Sequence, residues 1–184
     1  MNVKELKVKY DRKALEKNGG KYPGIIFMEH CNDLFASGVN EDFVYLSLLH
    51  CRNYPENTYV FQTKNPLGYI AYEKWLPPNH ILGCTIETNR DMKDVSGAPP
   101  AAIRASAMSR ISTSHKTFIT IEPILDLDVP ELELWMRRIR PDFVNVGADS
   151  KEHHLPEPSP EKVRELLDML GRLGIEIREK HNLE

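Results

Sequence analysis

Six short apolar runs punctuate the chain: Ile25 to Met28, Thr58 to Phe61, His80 to Ile86, Thr117 to Glu122, Asp142 to Val146 and Ile175 to Ile177. Each is rich in β-branched or aromatic residues and too brief for a helix, so each predicts a strand. Between them, apolar residues return at helical spacing. Asn40 is placed to cap a helix whose first turn holds Glu41 and Asp42 and whose apolar face is Phe43, Leu46 and Leu49 with Val44 and Leu48, ending near Tyr54-Pro55. Pro66 opens a helix running through Tyr69, Ile70, Tyr72 and Trp75, closed by Pro77-Pro78, and a small-residue helix spans about Ala101 to Ser109. Pro130 and Glu131 start another, with Leu132, Trp135, Met136 and Ile139 in step. Ser159, Pro160 and Glu161 read as the cap and first turn of the last helix, its face Val163, Leu166, Leu167 and Leu170 and its stop Gly174. Residues 1–24 are an irregular segment, with a weak strand pattern at 3–10 and one or two helical turns at 11–17.

Strand starts near 25, 58, 81, 117, 142 and 175 lie 33, 23, 36, 25 and 33 residues apart, the length of strand-helix units joined by short loops. Such alternation implies a parallel sheet with right-handed crossovers. Alternate strand residues separate into two sets. Leu82, Cys84, Ile86, Ile119, Ile121, Val144 and Val146 make an apolar face suited to helices. Gly83, Thr85, Glu87, Thr120, Glu122, Asn145, Gly147 and Asp149 make a face too polar for a packed layer of branched side chains, and so predict a wet or ligand-filled lumen. A doubly wound sheet would bury both faces under helices and read as continuous apolar runs. The expectation is therefore a single α/β domain over 1–184, built as a partial (β/α)6 TIM-like barrel of parallel strands with outer helices.

Composition narrows the setting more than the chemistry. The chain is 41% apolar and 28% charged with a net charge of −3, so it can bury a core and carries no basic footprint for nucleic acid. No apolar run approaches the ~20 residues of a membrane span, and the polar start Met1 to Lys7 is unlike a signal peptide, which predicts a cytoplasmic protein. The closing Leu183-Glu184 matches a cloning scar. Cys31, Cys51 and Cys84 are odd in number and widely spaced, which argues against a disulfide framework and predicts reduced, mostly buried thiols.

Candidate chemistry gathers where the strands stop. Pro123 removes the backbone donor after Glu122, so pairing ends there and Glu122 lies at a rim. In parallel α/β folds the strand C-terminal ends converge on one face, so Asn32, Asp33, Lys64, Asn65, Glu87, Glu122, Asp149 and Lys180 would surround one mouth. There Glu87 and Glu122 would serve as the acid and base of a hydrolase if their proton affinities were driven apart. Alternatively, these groups satisfy one another around a polar rim. His153-His154 with Asp149 lacks metal-ligand spacing, Cys31 with His30 has no orienting third group, and Gly19-Gly20 precedes a strand instead of following one.

The succession Ile25 to Phe35, Val60 to Pro66 (Val-Phe-Gln-Thr-Lys-Asn-Pro), Leu82 to Thr88 (Leu-Gly-Cys-Thr-Ile-Glu-Thr), Phe118 to Leu125 and Phe143 to Ser150 resembles a phage-associated family of three-cysteine-motif proteins. That family is similar to radical S-adenosylmethionine enzymes such as spore photoproduct lyase, whose partial barrels hold an iron–sulfur cluster and the cosubstrate at the strand ends. The resemblance covers the chain from about residue 25 onward. It implies that Thr85, Glu87, Glu122 and Asn145 to Ala148, with Lys64 and Asn65 on the same mouth, lie beside S-adenosylmethionine. The family's three cluster-binding cysteines precede Ile25, where this chain has none, so no iron–sulfur cluster is expected on this chain alone. This leaves either a second polypeptide that supplies the cluster and a first strand, or a degenerate barrel that binds a polar or nucleotide-like ligand without radical chemistry. A missing first strand would leave an edge for a homodimer or partner chain. The remaining readings are a cluster-independent hydrolase and a non-catalytic binding or assembly protein.

Overall fold

The computed structural model describes residues 25–28, 32–90, 97–149 and 156–180. The expected strand at 3–10, the cluster Glu29 to Cys31 and the pair His153-His154 lie outside them. Six strands, β1 (Ile25–Phe27), β2 (Thr58–Thr63), β3 (His80–Thr85), β4 (Thr117–Ile121), β5 (Phe143–Val146) and β6 (Glu176–Glu179), form one all-parallel sheet in chain order. The sheet curls into a half-barrel. Every crossover moves one strand further the same way, so right-handed connections put the helices α1 (Glu41–Arg52), α2 (Leu67–Ala71), α3 (Ala101–Ile111), α4 (Val129–Ile139) and α5 (Pro160–Arg172) on the convex side. There α2 to α5 pack in succession, each on the next.

Local signals place the helix ends. Asn40 accepts from the Phe43 amide, Asp128 from Glu131 and Ser159 from Lys162, each satisfying a donor the first turn leaves open. The expected helix through Trp75 breaks instead: α2 stops at Ala71 and a 3-10 turn covers Glu73–Trp75. It has no side-chain cap, and Gly68 lies so close to Phe35 that a Cβ there would sit 2.8 Å from the ring. Packing on Phe35 thus outweighs the 3.6-residue repeat. In α1 the buried stripe is Val44, Ser47, Leu48 and Cys51, while Leu46 and Leu49 are exposed, which corrects the expected face by a shift of one residue around the helix.

The helix-facing strand residues Tyr59, Phe61, Leu82, Cys84, Ile86, Ile119, Ile121, Val144 and Val146 form the core with Leu48, Met108, Leu132, Met136, Leu166 and Leu170. Each such side chain contributes about 1.5–3 kcal/mol by leaving water. The concave face departs from expectation. Its middle is apolar: Val60 pairs in register with Ile81, and Phe118 with Phe143. The Phe118 ring lies across Gly83, stacks on Phe143 at 4.9 Å and 4°, and Arg178 covers Phe143 at 3.5 Å. Gly83 reads as a polar-face residue in the sequence, but its missing side chain is the space Phe118 fills. The polar rows that hold the candidate site lie above this layer, toward the strand C-terminal ends.

Candidate functional site

The register builds the rim row by row. Gln62 pairs with Gly83, Thr85 with Thr120, Thr120 with Asn145 and Asn145 with Arg178. Carried two residues further, the same pairings align Lys64 with Thr85, and Glu87 with Glu122, Gly147 and Lys180. Backbone bonds support the extension: Ile86 donates to Thr120 at 2.9 Å, Gly147 to Ile121 at 3.1 Å and Lys180 to Val146 at 2.9 Å. The side chains interlock as the rows require. Gln62 donates to the Thr85 hydroxyl at 2.9 Å, and Asn145 to that of Thr120 at 3.3 Å.

Glu87 is the best-held group. One carboxylate oxygen meets the Lys64 ammonium and the other accepts from Arg104 Nη1 at 2.8 Å, with the Glu87 and Arg104 side chains only 9% and 8% exposed. Arg104 comes from α3, whose Ala101, Ala105 and Ala107 are buried and bring the helix backbone close to the sheet. Its guanidinium also donates to the Thr85 carbonyl at 2.6 Å and the Pro99 carbonyl at 2.8 Å. Burial alone would push the Glu87 carboxyl up; Lys64 and Arg104 override it and hold the group below its ordinary range. Glu87 is therefore an ionised anchor.

Glu122 pairs with Lys180 across the mouth and is part-exposed. Gly147 makes room for it, since a Cβ there would stand 3.2 Å from its carboxyl carbon. Beyond the cis Glu122–Pro123 bond, Ile124 donates to Gly147 and Leu125 to Glu87, so the loop after β4 stitches the neighbouring strand ends together. Asp126 then pairs with Arg90 and Lys162, and hydrogen bonding from Lys162 holds its carboxyl below the usual range.

Of the residues expected at the site, Lys64, Thr85, Glu87, Glu122, Asn145, Gly147 and Ala148 gather at the strand C-terminal ends. Asn65 turns away from the mouth, and its side-chain amide donates to the Phe35 carbonyl at 2.8 Å. Asp33 likewise accepts from the Lys64 and Phe35 amides, clamping the loops after β1 and β2. Arg104 escapes a strand-end reading because it sits mid-helix; its signal is a lone cation among Ala101, Ala105 and Ala107. Cys84 faces the helices, buried, with its thiol pushed far up by burial, and Cys51 lies buried at the end of α1, 3.9 Å from the Met28 sulfur.

The rim thus presents three cations, Lys64, Arg104 and Lys180, against two carboxylates, Glu87 and Glu122. With Thr85, Thr120 and Asn145 beneath them, these groups can hold a polar molecule that carries both an acidic and a basic or hydrogen-bonding part. No helix among the described residues is long and apolar enough to cross a membrane. The fold and this rim define an α/β half-barrel with a charged mouth. No family model, no curated protein and no solved structure matches the chain.

Proposed function

We propose that the mouth of the half-barrel binds a small polar, nucleotide-like ligand, and that the chain acts beside a partner polypeptide rather than as an isolated enzyme. The observation that carries this is the row Glu87, Glu122, Gly147 and Lys180 above the row Lys64, Thr85, Thr120 and Asn145, with an aromatic floor of Phe118 and Phe143 beneath. A charged rim above a row of hydroxyl and amide groups suits a ligand with a zwitterionic end and further hydrogen-bonding groups. S-adenosylmethionine has both, and the resemblance to radical S-adenosylmethionine enzymes singles it out.

The cysteines support a division of labour. A 4Fe–4S cluster needs three or four thiolates. Cys84 lies on the helix side with its thiol held protonated, and Cys51 is buried at a helix end, which leaves Cys31 too few companions. The donor set does not fit the cluster, so a partner would supply it. β1 is an edge of the described sheet, and its Ile25 and Phe27 are 64% and 44% exposed, which suits a strand from another chain or a second copy. A hydrolase using Glu87 as its acid has less support, because a carboxyl held below its ordinary range carries no proton to donate near neutral pH.

Isothermal titration with S-adenosylmethionine tests the reading. Saturable binding is expected, weakened about tenfold by Glu122→Gln and Lys180→Met, each of which breaks the part-exposed pair at the mouth. Absence of saturation at millimolar ligand, or binding indifferent to both substitutions, sinks the assignment. Anaerobic iron–sulfur reconstitution addresses the second clause, and a stoichiometric cluster on this chain alone would contradict it.

A further inference from the structure

A second site lies at the opposite end of β3. A cavity of about 410 Å³, within the ~300–1,000 Å³ typical of small-molecule sites, opens between α2 with its following 3-10 turn and α3. Its floor is Tyr69, Leu82 and Ile111, all buried, and its wall carries Arg110, His115 and Glu73. Tyr69 spends its hydroxyl on the Gly83 carbonyl at 2.8 Å, so it offers the cavity ring surface and no donor.

The wall's charge follows from counting protons. His80 Nδ1 faces the Pro77 carbonyl at 2.6 Å and must donate to it, because a carbonyl only accepts. Burial pushes His80 toward its neutral form, so its Nε2 is the acceptor for His115 Nδ1 at 3.0 Å. His115 Nε2 meets the Glu73 carboxylate at 3.1 Å, again an acceptor. The chain of contacts thus ends on Glu73, whose carboxylate is taken up by His115. Arg110 makes no ion pair among the described residues, so its charge remains for a ligand.

We propose that this cavity binds a small organic monoanion, a carboxylate or phosphate monoester with a compact apolar body, its charge against Arg110 and its body on Tyr69, Leu82 and Ile111. The site is independent of the strand-end reading. The groups facing His115 are His80 from β3 and Glu73 from the 3-10 turn, with Arg110 of α3 on the same cavity wall.

The test uses the ¹⁵N-labelled chain titrated with benzoate near neutral pH. Saturable amide shifts at Ile111, Thr113 and His115 are expected. Benzylamine, of the same shape and opposite charge, should leave these amides unmoved. Arg110 is exposed, so Arg110→Gln should retain the parent spectrum elsewhere while weakening benzoate about tenfold. Arg138→Gln, exposed on α4 away from both sites, should bind benzoate as the parent does. Non-saturating shifts, shifts centred on the rim, equal binding by benzylamine, or an Arg110→Gln variant that binds unchanged would each overturn the proposal.

Discussion

Removing Arg104 tests the rim's energetics most directly. Arg104→Met keeps the side chain's length and deletes its bonds to the Pro99 carbonyl (2.8 Å), the Thr85 carbonyl (2.6 Å) and Glu87 (2.8 Å). Breaking a buried ion pair from one side costs about 3–5 kcal/mol, chiefly because the other charge stays buried. Lys64 remains on Glu87, but at 41% exposure it is well solvated, so the expected loss is near the lower bound, about 3 kcal/mol. For a chain of this size that lowers the melting temperature by roughly 6–12 °C. Adding Glu87→Gln removes the stranded charge, so the double variant should recover about 1–2 kcal/mol of that loss, a coupling that independent sites would not show.

The acid limb carries the same information. The native Glu87 carboxyl sits below its unfolded value, so its contribution is present above the ordinary glutamate range, near pH ~4, and is lost as pH falls through the native value. Without Arg104, burial faces Lys64 alone and the native value rises, so the variant should begin to unfold at a higher pH than the parent. Urea unfolding followed by the fluorescence of Trp75 and Trp135, across pH about 3 to 7, measures both effects. An Arg104→Met loss under about 1 kcal/mol, or a double variant that loses the sum of the two singles, would refute the claim that Arg104 and Glu87 act as one buried unit.

Two further substitutions probe the fold. Gly83→Ala should cost about 3 kcal/mol by urea unfolding, because the new Cβ would lie 2.0 Å from the Phe118 ring; pairing it with Phe118→Leu should restore most of the loss, and an unaffected single variant would contradict the placement of that ring. Arg140 ends α4 in the left-handed region at φ 51°, so Arg140→Gly should stabilise by about 0.5–1 kcal/mol, and a destabilised variant would show that the arginine has a compensating role there.

The architecture was legible because its signals are local. Strand length, unit spacing and the caps Asn40 and Ser159 depend on neighbours in sequence, and the strands arrive in the expected order. Parity located Glu87, Glu122 and Gly147 on one face for the same reason. What parity cannot carry is a contact between elements. The concave residues Val60, Ile81, Phe118 and Phe143 share the rim's parity, yet their apolar character appears only when the strands are laid in register and Phe118 is seen to fill the space over Gly83. Arg104 and the chain His80–His115–Glu73 join residues 17, 35 and 42 positions apart, distances over which no periodicity speaks.

The aromatic layer also decides how the two sites relate. β3 has His80 at its start and leads to Glu87 beyond its end, and between them Phe118 closes over Gly83 and stacks on Phe143. Phe118 is 1% exposed, so over β3 and β4 the concave face is packed at mid-height. The lower cavity, moreover, opens on the helix side, where Leu82 and Tyr69 form its floor. A ligand at the mouth therefore cannot pass into the lower cavity through the half-barrel, and any influence between them must travel through packing. The shortest such path is one residue wide: Tyr69 lines the lower cavity and donates to the Gly83 carbonyl, and Gly83 is the surface on which the floor of the upper site rests. Coupling between the sites, measured as a change in one affinity on filling the other, should weaken when that hydrogen bond is removed by Tyr69→Phe, while α3, which carries both Arg104 and Arg110, remains a second route.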